Sequence, residues 1–123
     1  MAGKVLLVDD EVFAVEEIAD YLRRHGQDVL ATSNSTEGLQ WVSTDPSIDV
    51  VITDLKMANV DGFQIISEAA QQRREGNRDL RIIAITGHGT EEDEKRAKTL
   101  GADTFMVKPV SVRELMKILS QRA

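Results

Sequence analysis

Apolar and polar positions follow two alternating rhythms along this chain. Short, nearly unbroken apolar runs at Lys4–Val8, Asp28–Thr32, Val50–Thr53, Arg81–Thr86 and Thr104–Val107 read as strands. Runs of this length suit a parallel sheet covered on both faces. Between them, apolar residues recur at helical spacing. Val15, Ile18, Ala19 and Leu22 share one face of a first helix, with Arg23, Arg24 and His25 in its last turn and Gly26 as its stop. Asn34 with Glu37 predicts a capping box for a second helix that buries Leu39 and Val42, where Gly38 allows close approach to the sheet. After a loop from Ala58 to Gly62, Phe63, Ile66 and Ala70 mark a third helix, ending in the polar run Arg73–Asn77. Thr90 with Asp93 caps a fourth, which runs to Leu100, stops at Gly101 and has only Ala97 and Leu100 as an apolar face. Ser111 with Glu114 predicts a box for the last helix, burying Val112, Leu115, Met116 and Leu119.

Five strands alternating with five helices over short connections predict an α/β fold. The expected form is a flavodoxin-like, doubly wound (βα)5 sheet in the order 2-1-3-4-5, as one domain over residues 1–123. Composition narrows the function classes. Net charge is −6 with no dense basic stretch, so direct nucleic-acid contact is not expected. No apolar run approaches membrane-span length, and the early first strand leaves no room for a signal peptide. The absence of cysteine removes disulfides and thiolate metal sites, and together these features predict a cytoplasmic protein.

Chemistry gathers at the carboxyl ends of the strands. In this strand order Asp9 and Asp10, after strand 1, end beside Asp54, because neighbouring strands lie about 4.8 Å apart. Thr86 and Lys108 end strands 4 and 5 at the same edge. Clustered carboxylates repel and call for a proton or a cation. Oxygen donors without histidine or cysteine suit a hard ion, Mg²⁺ more than Zn²⁺. Mg²⁺ binds phosphate oxygens readily, which points to phosphoryl chemistry. Thr86 can donate to one phosphoryl oxygen, Lys108 can neutralise another, and Asp54 is the group left to attack.

Asp9-Asp10, Asp54, Met57, Asp61-Gly62, Thr86, Gly101-Ala102 and Lys108-Pro109, in this order, resemble the receiver domain of two-component response regulators over nearly the whole chain. The resemblance implies that Asp54 takes a phosphoryl group from a phosphohistidine of a histidine kinase or phosphotransfer protein. It implies Mg²⁺ held directly by Asp10 and Asp54, through water by Asp9, and by the main-chain carbonyl of Lys56. Thr86 and Lys108 would hold the phosphoryl group, and Phe105 would stand as the switch aromatic. Lys56 and His88 would tune the lifetime of the phosphorylated state. Output would pass through the face of the fourth helix, fifth strand and fifth helix, to an output protein or domain or to a phosphorylation-dependent dimer. In the family the Lys108–Pro109 peptide is typically cis. Three departures stand out: Ala58 where proline is common, which implies a looser loop; Gly87 for alanine; and Phe105 without a hydroxyl.

Taken singly, each residue has a plainer account. Asp9-Asp10-Glu11 are acids at a helix start, Asp54 a turn residue, and Thr86 the last residue of a strand. Only their convergence on one edge favours the site. An aspartate-nucleophile phosphatase is the enzyme alternative, but its second acid would fall at Lys56. A flavin carrier would need a Ser/Thr/Gly-rich loop after strand 1, where this chain is acidic. A phosphorelay intermediate without output of its own is a further alternative.

Overall fold

The computed structural model describes residues 3–76 and 78–121; Asn77, at the end of the polar run expected to close the third helix, lies outside them. Ten elements alternate: β1 (Lys4–Val8), α1 (Val12–Arg24), β2 (Asp28–Thr32), α2 (Ser35–Thr44), β3 (Ile48–Asp54), α3 (Gly62–Glu75), β4 (Arg81–Thr86), α4 (Glu91–Leu100), β5 (Thr104–Val107) and α5 (Val112–Leu119). All strand pairs are parallel and the order is β2-β1-β3-β4-β5, as expected. Among the described residues no helix is long and apolar enough to cross a membrane.

Even within continuous apolar runs, side chains obey the period of two. Leu6, Val8, Val51, Ile82 and Ala84 enter one core, shared with α2, α3 and α4. Val5, Leu7, Val50, Ile52, Ile83 and Ile85 enter the other, shared with α1 and α5. The two covers are unequal. The first helix buries the four residues expected of it, Val15, Ile18, Ala19 and Leu22, whereas α4 buries Ala97 alone.

Local expectations were met unevenly. Strand β3 begins at Ile48 rather than Val50, because Ile48 is fully buried and pairs with Lys4 across a register shift. Leu39, Val112 and Met116 are half-buried rather than buried. The Asn34 box is half-formed: its side chain accepts from the Glu37 N–H, but its own N–H donates to Thr32 Oγ1. Ser111 likewise accepts from the Glu114 N–H. The complete box is at Asp61 and Gln64, which the sequence reading placed in and beside a loop. Gly38 meets its expectation, since a Cβ there would stand 2.7 Å from Val8 Cγ2.

Gly62 fixes the end of β3 against α3. Its N–H donates to Leu55 O at 2.9 Å, and a Cβ added to it would lie 1.9 Å from the Asp54 carbonyl oxygen. No side-chain adjustment relieves a clash with backbone. Gly62→Ala should cost roughly 3 kcal/mol and lower Tm by roughly 10 °C. Gly87→Ala, with open space around the new methyl, should leave Tm nearly unchanged. Thermal melts of both variants check the contrast.

Candidate functional site

Four elements deliver the site to one sheet edge. Asp9 follows directly on β1, Asp54 ends β3 and Thr86 ends β4, while Lys108 follows β5. The Lys108–Pro109 peptide is cis. Lys108 Nζ lies 2.8 Å from Asp9 Oδ2, 3.0 Å from Asp54 Oδ2 and 3.4 Å from Glu11 Oε1. Asp9 is wholly buried and Asp54 keeps 5% exposure, so one ammonium faces two carboxylates largely removed from water.

Burial pushes the Asp9 carboxyl above its ordinary value of 3.8, more than Lys108 and the Glu11 N–H pull it down, and Asp54 adds repulsion. Burial pulls the Lys108 ammonium down, but contacts with Asp9 and Asp54 outweigh it and hold the group above its usual range. The Asp9 contact is an ion pair off the hydrogen-bond direction. Among the described residues Asp9 Oδ2 is therefore buried without an aligned donor. Asp54 Oδ1 accepts from the Leu55 N–H at 2.7 Å.

Ligand oxygens of Asp9, Asp10 and Asp54 all lie within 4.8 Å of one another. Three carboxylates, one of them with an unaligned buried oxygen, suit a hard divalent cation such as Mg²⁺. Asp10 stands on the exposed rim of this cluster.

The remaining candidates divide. Thr86 is fully buried and its Oγ1 accepts from the His88 N–H at 3.3 Å. His88 itself is exposed. Lys56 turns toward α4, with Nζ 3.7 Å from Asp93 Oδ2 and 6.0 Å from the Phe63 ring. Phe105 is half-buried against the core beneath α2, α3 and α4. Ser35, not singled out by sequence reading, is buried; its Oγ donates to Ala58 O at 2.8 Å and accepts from the Val60 N–H at 3.3 Å. That pair of bonds ties down the loop expected to be looser for want of a proline. Asn59 in the same loop has φ 69°, a left-handed conformation that asparagine tolerates. Glu11 was read only as a helix-start acid, and its approach to Lys108 depends on tertiary structure alone.

The family model described as "Response regulator receiver domain" matches residues 5–120. A curated relative, the response regulator SaeR of Staphylococcus aureus (strain USA300), is 35% identical over 91% of this chain and 46% of its own length. The chain thus spans about half of that relative. A response regulator receiver domain from Clostridium thermocellum is 34% identical, with a TM-score of 0.84, over 96% of this chain and 91% of that one. A chain of the CheX–CheY–BeF3–Mg²⁺ complex from Borrelia burgdorferi is 29% identical, with a TM-score of 0.80, over 96% of this chain and 87% of that one.

The raised Asp9 pKa fixes the sign of a pH effect. The folded carboxyl holds its proton more tightly than the unfolded chain does. Ionised Asp9 therefore costs stability above its folded pKa, and the cost vanishes as pH falls below 3.8. In metal-free buffer at neutral pH, Asp9→Asn should be the more stable protein and melt at the higher temperature. The gap should narrow as pH approaches about 4. Parallel melts of the two proteins across that range provide the check; a variant less stable at neutral pH contradicts it.

Proposed function

The chain belongs to the response regulator receiver domains, and from that footing we propose that Asp54 is its phosphoryl acceptor, in a receiver domain occupying residues 1–123. Receiver domains are phosphoryl-accepting signalling domains rather than enzymes with a separate substrate. The observation that carries the assignment is the convergence of Lys108 on Asp54 Oδ2 and Asp9 Oδ2, at 3.0 and 2.8 Å.

In the proposed reaction an Asp54 carboxylate oxygen attacks the phosphorus of a phosphohistidine. An acyl phosphate bond forms as the phosphorus–nitrogen bond breaks, and the electron pair leaves with the imidazole. Lys108 accompanies the oxygen charge, and the Thr86 hydroxyl donates to a phosphoryl oxygen. Asp9, Asp10, Asp54 and the Lys56 carbonyl would hold Mg²⁺, which when bound supplies positive charge to the phosphoryl oxygens. Donors would be a histidine kinase or a phosphotransfer protein, and the setting cytoplasmic. Autodephosphorylation would be the only other turnover, with Lys56 and His88 governing its rate.

Output is proposed through α4, β5 and α5, either to an output partner or domain or to a second copy. Thr86 moves toward the phosphoryl group and Phe105 turns into the space released beneath α4. Burial of the ring then supplies the driving force that a hydroxyl would otherwise share. Weak apolar anchoring of α4 makes it the element that can shift.

Acetyl phosphate with Mg²⁺ should give stable aspartyl phosphate on the wild type and none on Asp54→Asn, read by intact mass and peptide mapping. Stable phosphate mapped elsewhere on that variant overturns the assignment. Lys108→Ala should bind Mg²⁺ as tightly as the wild type or more so, since a competing cation has gone. It should also lose the phosphate-dependent change in hydrogen exchange over α4 and β5. Mg²⁺ isotherms and exchange with and without beryllofluoride measure both.

A further inference from the structure

Helix α4 is held only lightly by apolar burial, through Ala97 and the half-buried Leu100. Only Ala97 is buried, and the first turn carries Glu91, Glu92, Asp93 and Glu94. Two side chains one helical turn apart make its outward contacts. Arg96 lies over the Phe63 ring of α3, 4.0 Å from the centroid. Asp93, its side chain 16% exposed, pairs with Lys56 Nζ at 3.7 Å. The same ammonium is 6.0 Å from the Phe63 ring, near the outer limit for a cation–π contact. Phe63 is therefore approached by two cations, one from α4 and one from the loop that follows the acceptor strand.

Lys56 thus has a client on α4 while standing two residues beyond Asp54 at the same sheet edge. Its ammonium rides on a flexible four-carbon stem, and its side chain is 61% exposed. A phosphoryl group on Asp54 adds strong negative charge beside the start of this loop. Resting on the reading of Asp54 as acceptor, we propose that Asp93 is a positioning residue that draws Lys56 toward α4, and that a phosphoryl group on Asp54 competes with Asp93 for that ammonium. Phosphorylation withdraws one of the contacts that hold α4, and the contact in turn opposes phosphorylation. Linkage makes the two effects equal: whatever the pair loses on phosphorylation, its prior absence returns as affinity for the phosphoryl group. The latch is electrostatic and half in solvent, so its size is that of an exposed ion pair and it weakens with salt.

The test is titration of the Mg²⁺-loaded protein with beryllofluoride, a phosphoryl mimic, followed by NMR. Asp93→Asn keeps the backbone N–H that Thr90 caps and should bind beryllofluoride roughly two- to fivefold tighter than the wild type, the range an exposed pair supports. Asp93→Glu should restore wild-type affinity. In a Lys56→Gln background, Asp93→Asn should have no further effect. Glu92→Gln removes an acid from the same turn that has no ion pair with Lys56 among the described residues, and should match the wild type. An Asp93→Asn effect that persists without Lys56, or wild-type affinity in Asp93→Asn itself, overturns the competition. A wild type that binds no beryllofluoride overturns the acceptor reading beneath it.

Discussion

One ammonium carries the charge balance at the carboxyl edge of this sheet. Lys108 stands between a wholly buried Asp9 and a nearly buried Asp54, with Glu11 at the rim. Taking carboxylates out of water costs several kcal/mol each before any pairing, and a single cation shared between two of them offsets only part of that. The upward displacement of the Asp9 pKa is the residue of this imbalance. Apolar side chains at the same positions would make a more stable strand edge. The acids are intelligible as a reactive site held under electrostatic tension, with the surrounding backbone fixed so that the tension has no local outlet.

That fixing is strongest around Asp54. Thr53 Oγ1 donates to the Asp54 carbonyl at 2.8 Å, Gly62 closes over the same carbonyl, and the Asp61–Gln64 box starts α3 at that point. Across the edge, α4 has one buried apolar residue and two charged attachments. A rigid strand end next to a lightly held helix is the mechanical contrast the proposed switch requires. In the proposed switch a change of charge at Asp54 acts on the neighbour held by the least rather than on β3.

Most of this architecture was legible because it is local or periodic. Helical spacing gave the α1 face residue for residue, and apolar runs gave the strands because burial on both faces erases alternation in the sequence while the backbone keeps it. The convergence of Asp9, Asp10, Asp54, Thr86 and Lys108 followed from strand order alone. What escaped was contact between distant residues with no pattern of their own. Glu11 near Lys108, Ser35 under the Ala58 loop, Asp93 on Lys56 and the Arg73 guanidinium, which bonds to Leu80 O, Gly101 O and Asp103, are each ordinary polar residues until the fold is known. Capping was misjudged for a related reason. The Asn34 N–H had a nearer acceptor in Thr32, and Asp61 sat in a stretch whose Asn-Val-Asp-Gly sequence reads as a turn.

The partners of Lys108 are far away along the chain, 54 residues back at Asp54 and 97 at Glu11. Closing such loops costs entropy that nothing local repays, and a fold dominated by contacts of this range folds slowly. A chain emerging from the ribosome carries both aspartates long before it carries their cation. During that interval the two acids have no reason to share an edge, and their mutual repulsion favours keeping them hydrated and apart. The proposed acceptor exists early, but the cation that stands beside it in the folded site does not. Under the proposed mechanism, competence to receive a signal waits for the residue that follows the fifth strand, so a chain cut before Lys108 would be silent by construction rather than by inhibition.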